Sequence, residues 1–385
     1  MSSVFAERPT LQIVHRAGIL DLGWGHPDPV LLDTAGLQAA AEQTLTTYGP
    51  IALGYGYEHG PAPLLAQIAA RIAAAEGRAP QPGEIMATAG NSHALDLLCT
   101  ICTRPGDTLL VAEPTYHLAV RILRDHPLDL VPVPGDAGGV DIAALETTLA
   151  RLAAAGKQPR ALYSIPTFAN PTGISLADDR RRALADLAVA HDLLIFEDDV
   201  YRELAFDAPA PASLWSMAPG QVVRMGSFSK SLAPGLRLGY LTAPAPIISA
   251  LTGSGVLDSG GGVNHFTALL VATYMANGGY AAGVERLRAA YRERRDALCD
   301  ALEARLPAGC QVRRPAGGFF VWVDLPPGTD LRTLGERAEA QGVAYLPGSK
   351  FFLAGGGNSA LRLSFSLYAP AQLVEAAHRL GRALG

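Results

Sequence analysis

One lysine stands among residues that suit it to amine chemistry. The chain has only three lysines among 31 basic residues, so arginine fills nearly every other cationic position. A lysine kept in such a background can act as an amine nucleophile, which a guanidinium cannot do. Lys230 follows an apolar run and is flanked by Ser227 and Ser229, with Arg237 seven residues later. An ordinary surface lysine is the alternative, but hydroxyls and a guanidinium favour a phosphate cradle beside a reactive amine.

Three adjacent carboxylates form a second candidate. Glu197, Asp198 and Asp199 follow another apolar run and precede Tyr201. Such a group can be an acidic loop, a magnesium site, or a site in which one carboxylate meets a cation. Asn170 lies in an Asn-Pro-Thr-Gly turn after a further apolar run. Because α/β proteins place their sites at the carboxyl ends of strands, both segments are candidates, although the second can be only a turn.

Two further segments have features of anion sites. Arg362 is the single charged residue in the alternating run Leu-Arg-Leu-Ser-Phe-Ser. There it favours a bidentate anion, unless it forms a structural salt bridge. Gly90, Asn91 and Ser92 lie where a predicted strand turns into a predicted helix, whose first N–H groups can bind a phosphate. An ordinary helix cap has a similar sequence.

Apolar runs alternate with amphipathic stretches, which predicts an α/β sandwich around a largely parallel sheet. Seven strands are expected, near 85–89, 108–112, 129–133, 161–165, 193–197, 221–226 and 238–242. Helices are expected near 34–48, 63–76, 91–103, 115–124, 141–155 and 178–191, with one long helix over 266–305. The rest has a βαβ-like pattern, with strands near 319–325 and 360–366. We therefore expect an N-terminal arm that packs with the small domain (1–33), a large domain (34–275) and a small C-terminal domain (276–385).

Composition excludes several classes of protein. The chain has 385 residues, 49% of them hydrophobic, which suits a globular protein with an ample core. Its net charge of −5 and the lack of a basic face argue against nucleic-acid binding. No apolar run is long enough for a bilayer, and the first residues do not resemble a signal peptide, so a cytoplasmic location is expected. Cys99 and Cys102 lie in an apolar helical stretch, which predicts buried thiols rather than a zinc or redox site.

The run Ser-Phe-Ser-Lys…Ala-Pro-Gly-Leu-Arg over 227–237 resembles the lysine segment of fold-type I pyridoxal-phosphate enzymes. The nearest group is the class I aminotransferases of the aminoadipate/kynurenine and aromatic type, and the resemblance extends from about residue 20 to the end. It implies the aspartate-aminotransferase fold, a large domain with a mostly parallel seven-stranded sheet between helices and a smaller C-terminal α/β domain. It also implies pyridoxal 5'-phosphate as cofactor, with Lys230 as the Schiff-base lysine that later moves the proton.

The same resemblance implies roles around the cofactor. Asp198 holds the pyridine nitrogen, with Asp199 as the rival, and Asn170 and Tyr201 hydrogen-bond the ring oxygen. Tyr116 stacks on the ring. In the phosphate turn, Asn-Ser-His replaces the family's Ser-Gln-Gln, so backbone contacts are expected to persist while side-chain contacts differ. The phosphate is expected to contact Gly90, Asn91, Ser92, Ser227, Ser229 and Arg237.

Substrate and partner contacts follow from the same resemblance. Arg362 binds the substrate α-carboxylate, while Gly25, His26 and Asn170 lie beside the substrate. His26 can equally be a turn residue in its Gly/Pro loop. Tyr55, in a Tyr-Gly-x-x-x-Gly loop, reaches the cofactor phosphate of the neighbouring subunit, which implies a homodimer.

These features predict an aminotransferase that moves an amino group between an L-amino acid and a 2-oxo acid. No metal, nucleic acid or membrane partner is expected. Other pyridoxal-phosphate chemistry, such as decarboxylation, elimination or oxidation, stays open, because a fold does not determine a reaction. A non-enzymatic regulator is a third reading, since this scaffold also occurs fused to DNA-binding winged helices. It is disfavoured because the chain starts directly with the arm.

Overall fold

The computed structural model describes Gln12 and residues 16–385, which contain fourteen strands and thirteen α-helices. The strands are β1 (Leu20–Asp21), β2 (Ile85–Thr88), β3 (Thr108–Glu113), β4 (Asp129–Asp136), β5 (Gly139–Val140), β6 (Ala161–Ser164), β7 (Leu194–Asp198), β8 (Val222–Ser227), β9 (Gly239–Thr242), β10 (Gln311–Arg313), β11 (Phe320–Asp324), β12 (Val343–Ala344), β13 (Leu346–Pro347) and β14 (Ala360–Ser364). The helices are α1 (Thr34–Tyr48), α2 (Ala62–Glu76), α3 (Asn91–Cys102), α4 (His117–Arg124), α5 (Ile142–Ala154), α6 (Asp178–Ala190), α7 (Leu214–Met217), α8 (Ala245–Thr252), α9 (Gly255–Gly260), α10 (His265–Ala276), α11 (Gly279–Arg305), α12 (Leu331–Ala340) and α13 (Pro370–Leu384).

The largest sheet has the strand order β2-β9-β8-β7-β6-β3-β4-β5. The five strands from β8 to β4 pair in parallel, whereas β9 and β5 run antiparallel to their neighbours. The predicted strands all form, so the mostly parallel α/β fold is confirmed. The sheet has one strand more than the seven predicted, because β5 is two residues long and too short to show an alternating pattern.

Helices cover both faces of this sheet. Alternate side chains of each strand pack against the helices on opposite faces. In β3, Leu110 belongs to one buried cluster, while Leu109 and Val111 belong to the other. This two-residue alternation is the ordinary geometry of a strand. Helices α2, α5, α6, α7 and α10 pack on the first face, and α3, α4 and α8 on the second. With both faces covered, the central strands must be apolar throughout, as the sequence runs indicated.

The long helix predicted over 266–305 is wrong, because the chain breaks there into α10 and α11. Gly278 lies between them in a left-handed conformation, with φ of 77°. Glycine adopts this conformation without steric cost, and it ends the helical hydrogen bonding. Helix α11 then extends from the first core, through Val284, to a separate C-terminal core that contains Leu298.

The C-terminal region contains an antiparallel sheet with the order β10-β11-β14-β13. Helices α11 and α13 pack on it, and α13 buries Leu373, Ala377 and Leu380 at helical spacing. The expected βαβ-like pattern is therefore wrong in one respect, since β11 and β14 pair antiparallel. Apolar periodicity reveals each element but not the direction in which two strands pair.

The chain before α1 joins this C-terminal region. Strand β1 pairs in parallel with β12, and Leu22 is buried in the C-terminal core. The division into an arm (1–33), a large domain (34–275) and a small domain (276–385) stays a prediction. Within the described residues, no helix combines the length and the apolar character needed to cross a bilayer.

Candidate active site

The carboxylates at the end of β7 are separated by the alternation of the strand. Glu197 accepts hydrogen bonds from two backbone N–H groups at the start of α7, at 2.9 and 3.0 Å. Asp199 accepts a hydrogen bond from Arg224 Nε at 2.8 Å in a buried ion pair. Asp198 instead contacts side chains of β6 and α3. The three carboxylates contact separate partners and do not converge, as a magnesium site would require.

The carboxylate of Asp198 is almost completely buried and has a donor on each oxygen. Asn91 Nδ2 donates to its Oδ1 at 2.6 Å, and the Tyr163 hydroxyl donates to its Oδ2 at 2.8 Å. Burial raises the pKa of Asp198, while the hydrogen bonds from Tyr163 and Asn91 oppose that shift. The side chain is therefore fixed in orientation within the site.

Lys230 lies three residues beyond the end of β8, the parallel neighbour of β7. Its Nζ donates a hydrogen bond to the carbonyl oxygen of Gly25 at 2.7 Å and lies 5.4 Å from the Phe319 ring centroid. Burial, and then the positive charge of Arg362, lower the pKa of Lys230 to about 8, whereas Asp198 opposes the shift. An amine with such a pKa can both accept and release a proton near neutral pH.

The residues predicted to bind phosphate adjoin the start of α3. Gly90 has φ of 88°, and a Cβ added there would lie 2.9 Å from Arg237 Nη2. Only glycine allows this approach, in which Arg237 Nη2 donates to the carbonyl oxygen of Ala89 at 3.1 Å. Ser227 Oγ accepts a hydrogen bond from the backbone N–H of Ser229 at 3.1 Å. Together with the N-terminus of α3, these groups can surround an anion.

The side chain of Asn91 lies away from the expected phosphate position. Its Nδ2 donates to Asp198 and also to the carbonyl oxygen of Met225, at 3.1 Å. Its Oδ1 has no hydrogen-bond partner among the described residues. Only the backbone N–H of Asn91 is left for a phosphate, and that contact stays a prediction.

Arg362 lies in β14 opposite Trp322 of β11 and is 3% exposed. Its Nη1 donates to Asn170 Oδ1 at 3.0 Å, its Nη2 donates to the carbonyl oxygen of Gly23, and its Cζ lies 4.1 Å from the Phe320 ring centroid. Among the described residues, these partners include no carboxylate, so the alternative of a structural salt bridge is not supported. Burial lowers the pKa of Arg362 to about 10, which leaves it cationic at neutral pH. A buried cation of this kind suits an anionic ligand.

The loop with the predicted substrate residues borders the lysine. The carbonyl oxygen of Gly25 accepts the hydrogen bond from Lys230, and a Cβ added to Gly25 would lie 2.6 Å from Phe320 Cζ. Glycine is therefore required for this close packing. Burial, together with two nearby cations, lowers the pKa of His26 to about 4, so its half-buried ring is neutral at pH 7. Contact of Gly25 and His26 with the substrate stays a prediction.

Two predicted cofactor tyrosines lie near Asn170 and Arg362. Tyr201 is 3% exposed and lies within hydrogen-bonding reach of the Asn170 side chain. Tyr116 is half-buried, and burial raises the pKa of its hydroxyl. It lies close enough to Arg362 and Asp198 for both charges to influence that pKa. The structure thus brings Tyr116, Asn170, Asp198, Tyr201, Lys230 and Arg362 together.

The phosphate side of the site is open in the single chain. Ser92 and Arg237 are exposed, and Tyr55 is 89% exposed. The loop of Tyr55 packs closely on residues 261–262. A Cβ added to Gly261 would lie 2.5 Å from the carbonyl oxygen of Gly56, the residue after Tyr55. Asn264 follows, and its Nδ2 donates to the carbonyl oxygen of Arg237. The Tyr55 loop and Arg237 are thereby linked, although the Tyr55 ring has little contact with the described part of its own chain.

Two residues of this site were missed by the sequence analysis. Tyr163 stands in an apolar run and has the appearance of a core residue, yet its hydroxyl contacts Asp198. The sequence offered one sign of this role, because Tyr163 lies in the same segment as Asn170. Asn264 has a φ of 46°, which fewer residue types adopt, and it supports Arg237. Its position two residues after the glycine run 260–262 was the only hint.

The side chains brought together at this site fit pyridoxal phosphate. Lys230 offers an amine of lowered pKa, and Arg362 offers a buried cation without a carboxylate partner among the described residues. Gly90 leaves room for Arg237 beside the N-terminus of a twelve-residue helix. Asp198 presents an oriented carboxylate on the same side of the sheet. An amine, an anion cradle and a carboxylate are what this cofactor requires.

Comparisons with known proteins agree with this chemistry. Residues 17–380 match the profile of the family described as aminotransferase class I and II. The chain is 35% identical to 2-aminoadipate transaminase of Thermus thermophilus, over 98% of this chain and 93% of that protein. It is 32% identical to aromatic-amino-acid aminotransferase 1 of Thermococcus litoralis, over 98% and 90% of the two chains. The structure of kynurenine aminotransferase of Pyrococcus horikoshii matches with a TM-score of 0.90 at 31% identity, over 96% of this chain and 91% of that one.

These similarities extend over nearly the whole chain and confirm the predicted fold, reaction and cofactor. The chain belongs to the class I and II aminotransferases, pyridoxal-phosphate-dependent enzymes of the aspartate-aminotransferase fold that move amino groups between amino acids and 2-oxo acids.

Proposed function

We propose that the amino group is transferred at the site formed by the carboxyl ends of β7 and β8 and by strand β14. One observation carries the proposal. The Lys230 amine and the Arg362 guanidinium donate to carbonyl oxygens two residues apart in one loop, those of Gly25 and Gly23. The charges of Arg362 and Asp198 also shift the pKa of Lys230 in opposite directions. Transamination needs an amine that takes and returns a proton, a carboxylate for the cofactor ring and a cation for the substrate carboxylate.

Different residues of the chain would bind different parts of the cofactor. Pyridoxal phosphate, when bound, supplies an electron-withdrawing ring that makes the substrate Cα acidic. Asp198 would hold its ring nitrogen in the protonated form, and Asn170 and Tyr201 would hydrogen-bond its ring oxygen. Tyr116 would cover one face of the ring. The phosphate would be held by the N-terminus of α3 and by Ser227, Ser229 and Arg237.

Lys230 is the proton carrier in this proposal. Because burial brings the pKa of its amine to about 8, a useful fraction of the amine is neutral near that pH and can accept the proton of the substrate Cα. The carbonyl oxygen of Gly25 holds Nζ in place by accepting a hydrogen bond of 2.7 Å. The same amine then returns the proton on the product side of the transfer.

Arg362 and Asn170 form the site for the substrate α-carboxylate. The guanidinium is already oriented by Asn170 and by its packing on Phe320, so it loses little freedom on binding. The relatives are named for aminoadipate, aromatic amino acids and kynurenine. We therefore expect L-amino acids with long or aromatic side chains to be substrates. The cytoplasm stays the predicted location.

Substitution of Arg362 by leucine tests the site. We expect the KM for amino acids to rise about 10- to 100-fold, because a charged hydrogen-bonded contact is lost. The dissociation constant of the cofactor should stay near that of the parent enzyme. Half-reactions of the bound cofactor, followed by absorbance across the amino acids, give both the KM and the preferred side chain.

Two controls complete this experiment. Arg362→Lys keeps the charge and should recover part of the loss, although a lysine cannot form the bidentate contact. Formation of an amino acid from an added 2-oxo acid separates transamination from decarboxylation, elimination or oxidation. An unaltered KM in Arg362→Leu would place the carboxylate site elsewhere.

We also propose that the active unit is a homodimer in which Tyr55 completes the phosphate site of the partner subunit. Tyr55, Ser92 and Arg237 are all exposed in the single chain. Large apolar side chains are exposed in the same stretch of sequence, and burying them in an interface would stabilise a dimer. They are Leu45, Ile51, Leu53, Tyr55 and Tyr57.

Light scattering should give about twice the chain mass of 40.3 kDa. Mixing Tyr55→Phe with Lys230→Ala subunits tests the shared site. The hybrid contains one intact Lys230, and its site receives Tyr55 from the Lys230→Ala partner if the contact crosses the interface. The cofactor affinity of that site should then return to the parent value. Affinity that remains at the level of Tyr55→Phe would show that Tyr55 acts within its own chain.

A further inference from the structure

Two side chains hold the carboxylate of Asp198 and have no part in the roles above. Tyr163, 0% exposed in β6, donates to Oδ2 at 2.8 Å, and Asn91, at the start of α3, donates to Oδ1 at 2.6 Å. We propose that Tyr163 and Asn91 are positioning residues that keep Asp198 ionised and oriented, and so set the pH range in which the enzyme retains its cofactor. The inference rests on the proposed contact of Asp198 with the cofactor ring nitrogen.

The need for both donors follows from the burial of the carboxylate. Removal from water favours the neutral acid, and burial accordingly raises the pKa of Asp198. A neutral acid cannot balance the charge of a protonated ring nitrogen. Hydrogen bonds from Tyr163 and Asn91 favour the ionised form and oppose the effect of burial. Burial also raises the pKa of the Tyr163 hydroxyl, so that hydroxyl keeps its proton and remains a donor.

The two donors come from rigid elements on different sides of Asp198. Strand β6, which carries Tyr163, pairs in parallel with β7. Asn91 Nδ2 donates to both Asp198 and the carbonyl oxygen of Met225 in β8, so it connects α3 with two strands. The family segment that this turn resembles has serine in the place of Asn91. A serine hydroxyl has a single proton and cannot donate to both acceptors.

The test is the affinity of the apoenzyme for pyridoxal phosphate as a function of pH. Loss of a donor raises the pKa of Asp198, so as pH falls the carboxylate is protonated earlier and affinity is lost at a higher pH. For Tyr163→Phe we expect the midpoint of that loss to rise by about one to two pH units. Asn91→Ser should shift the midpoint in the same direction. Well above the midpoint, each variant should bind the cofactor almost as tightly as the parent.

The chain offers a matched control. Tyr274 also donates its hydroxyl to an aspartate, Asp33 Oδ2, at the same distance of 2.8 Å. Tyr274→Phe removes an equivalent hydrogen bond outside the site and should leave the midpoint unchanged. A midpoint that shifts equally in Tyr274→Phe and Tyr163→Phe would overturn the inference, because the effect would then be one of general stability.

A double variant separates this inference from the proposed role of Asp198. Asp198→Asn alone should weaken cofactor binding at every pH, and adding Tyr163→Phe to it should cause no further loss, since Tyr163 acts through the carboxylate. Additive losses, or a Tyr163→Phe enzyme with the parent midpoint, would overturn the inference while leaving Asp198 in place. An unaffected Asp198→Asn would instead overturn the proposed role of Asp198. If Tyr163→Phe does not fold, Asn91→Ser combined with Asp198→Asn decides the same question.

Discussion

Replacement of Lys230 by alanine is expected to lower amino-group transfer by at least about 10³-fold while the fold is kept. Alanine has no group that can take a proton from the substrate Cα. Among the residues that the structure describes, the amine of Lys230 makes one hydrogen bond, to the carbonyl oxygen of Gly25, and that carbonyl can be solvated in the variant. Single-turnover half-reactions measure the loss, and circular dichroism and thermal unfolding verify the fold.

The scarcity of lysine makes the assignment easy to check. The chain has only three lysines, so borohydride reduction followed by peptide mass analysis identifies the one that carries the cofactor. Lys157 is the matched control, because its Nζ forms an exposed ion pair with Asp129 at 2.8 Å. Lys157→Ala should retain parent activity and covalent labelling. Labelled Lys230→Ala protein would show that another lysine holds the cofactor.

Asp198→Asn is expected to slow deprotonation of the substrate Cα by about 10²- to 10³-fold. The amide is nearly the same size as the carboxylate but has no charge, so it cannot stabilise a protonated ring nitrogen. Deprotonation is measured from the single-turnover absorbance change and its deuterium isotope effect at the Cα. The amide substitution keeps the shape of the site, which limits the effect on folding.

The neighbouring Asp199→Asn variant is the control, and it should lower the stability of the protein rather than the rate of deprotonation. Asp199 and Glu76 both pair with the buried Arg224, at 2.8 and 2.6 Å. Removing one of these charges should cost about 1–3 kcal/mol of unfolding free energy and lower the thermal unfolding temperature. The rate of Cα deprotonation should remain close to that of the parent. The reverse pattern, with Asp199→Asn the slower enzyme, would move the role to Asp199.

The amino-acid sequence by itself determined the elements and most of the reactive residues. Apolar runs and helical periodicity predicted the seven longer strands of the large sheet, because each run is a local pattern that both packed faces require. The chemistry of Lys230 and Arg362 was also local. A lysine among hydroxyls and a lone arginine in an apolar strand are unusual within a few residues of sequence, so they could be identified without a structure.

Several features of the molecule depended on contacts between residues far apart in the chain. The antiparallel pairing of β11 with β14 was predicted wrongly, since apolar periodicity carries no information on the direction of pairing. The break between α10 and α11 was also predicted wrongly, although its cause is local, a left-handed glycine at Gly278. The choice among three adjacent carboxylates required the ion pair of Asp199 with Arg224, 25 residues away. The hydrogen bonds of Tyr163 and Asn91 to Asp198 span 35 and 107 residues. A hydrogen bond between distant residues depends on where two atoms meet after folding. The sequence therefore revealed which groups could react, and only the tertiary structure decided which other side chains orient those reactive groups.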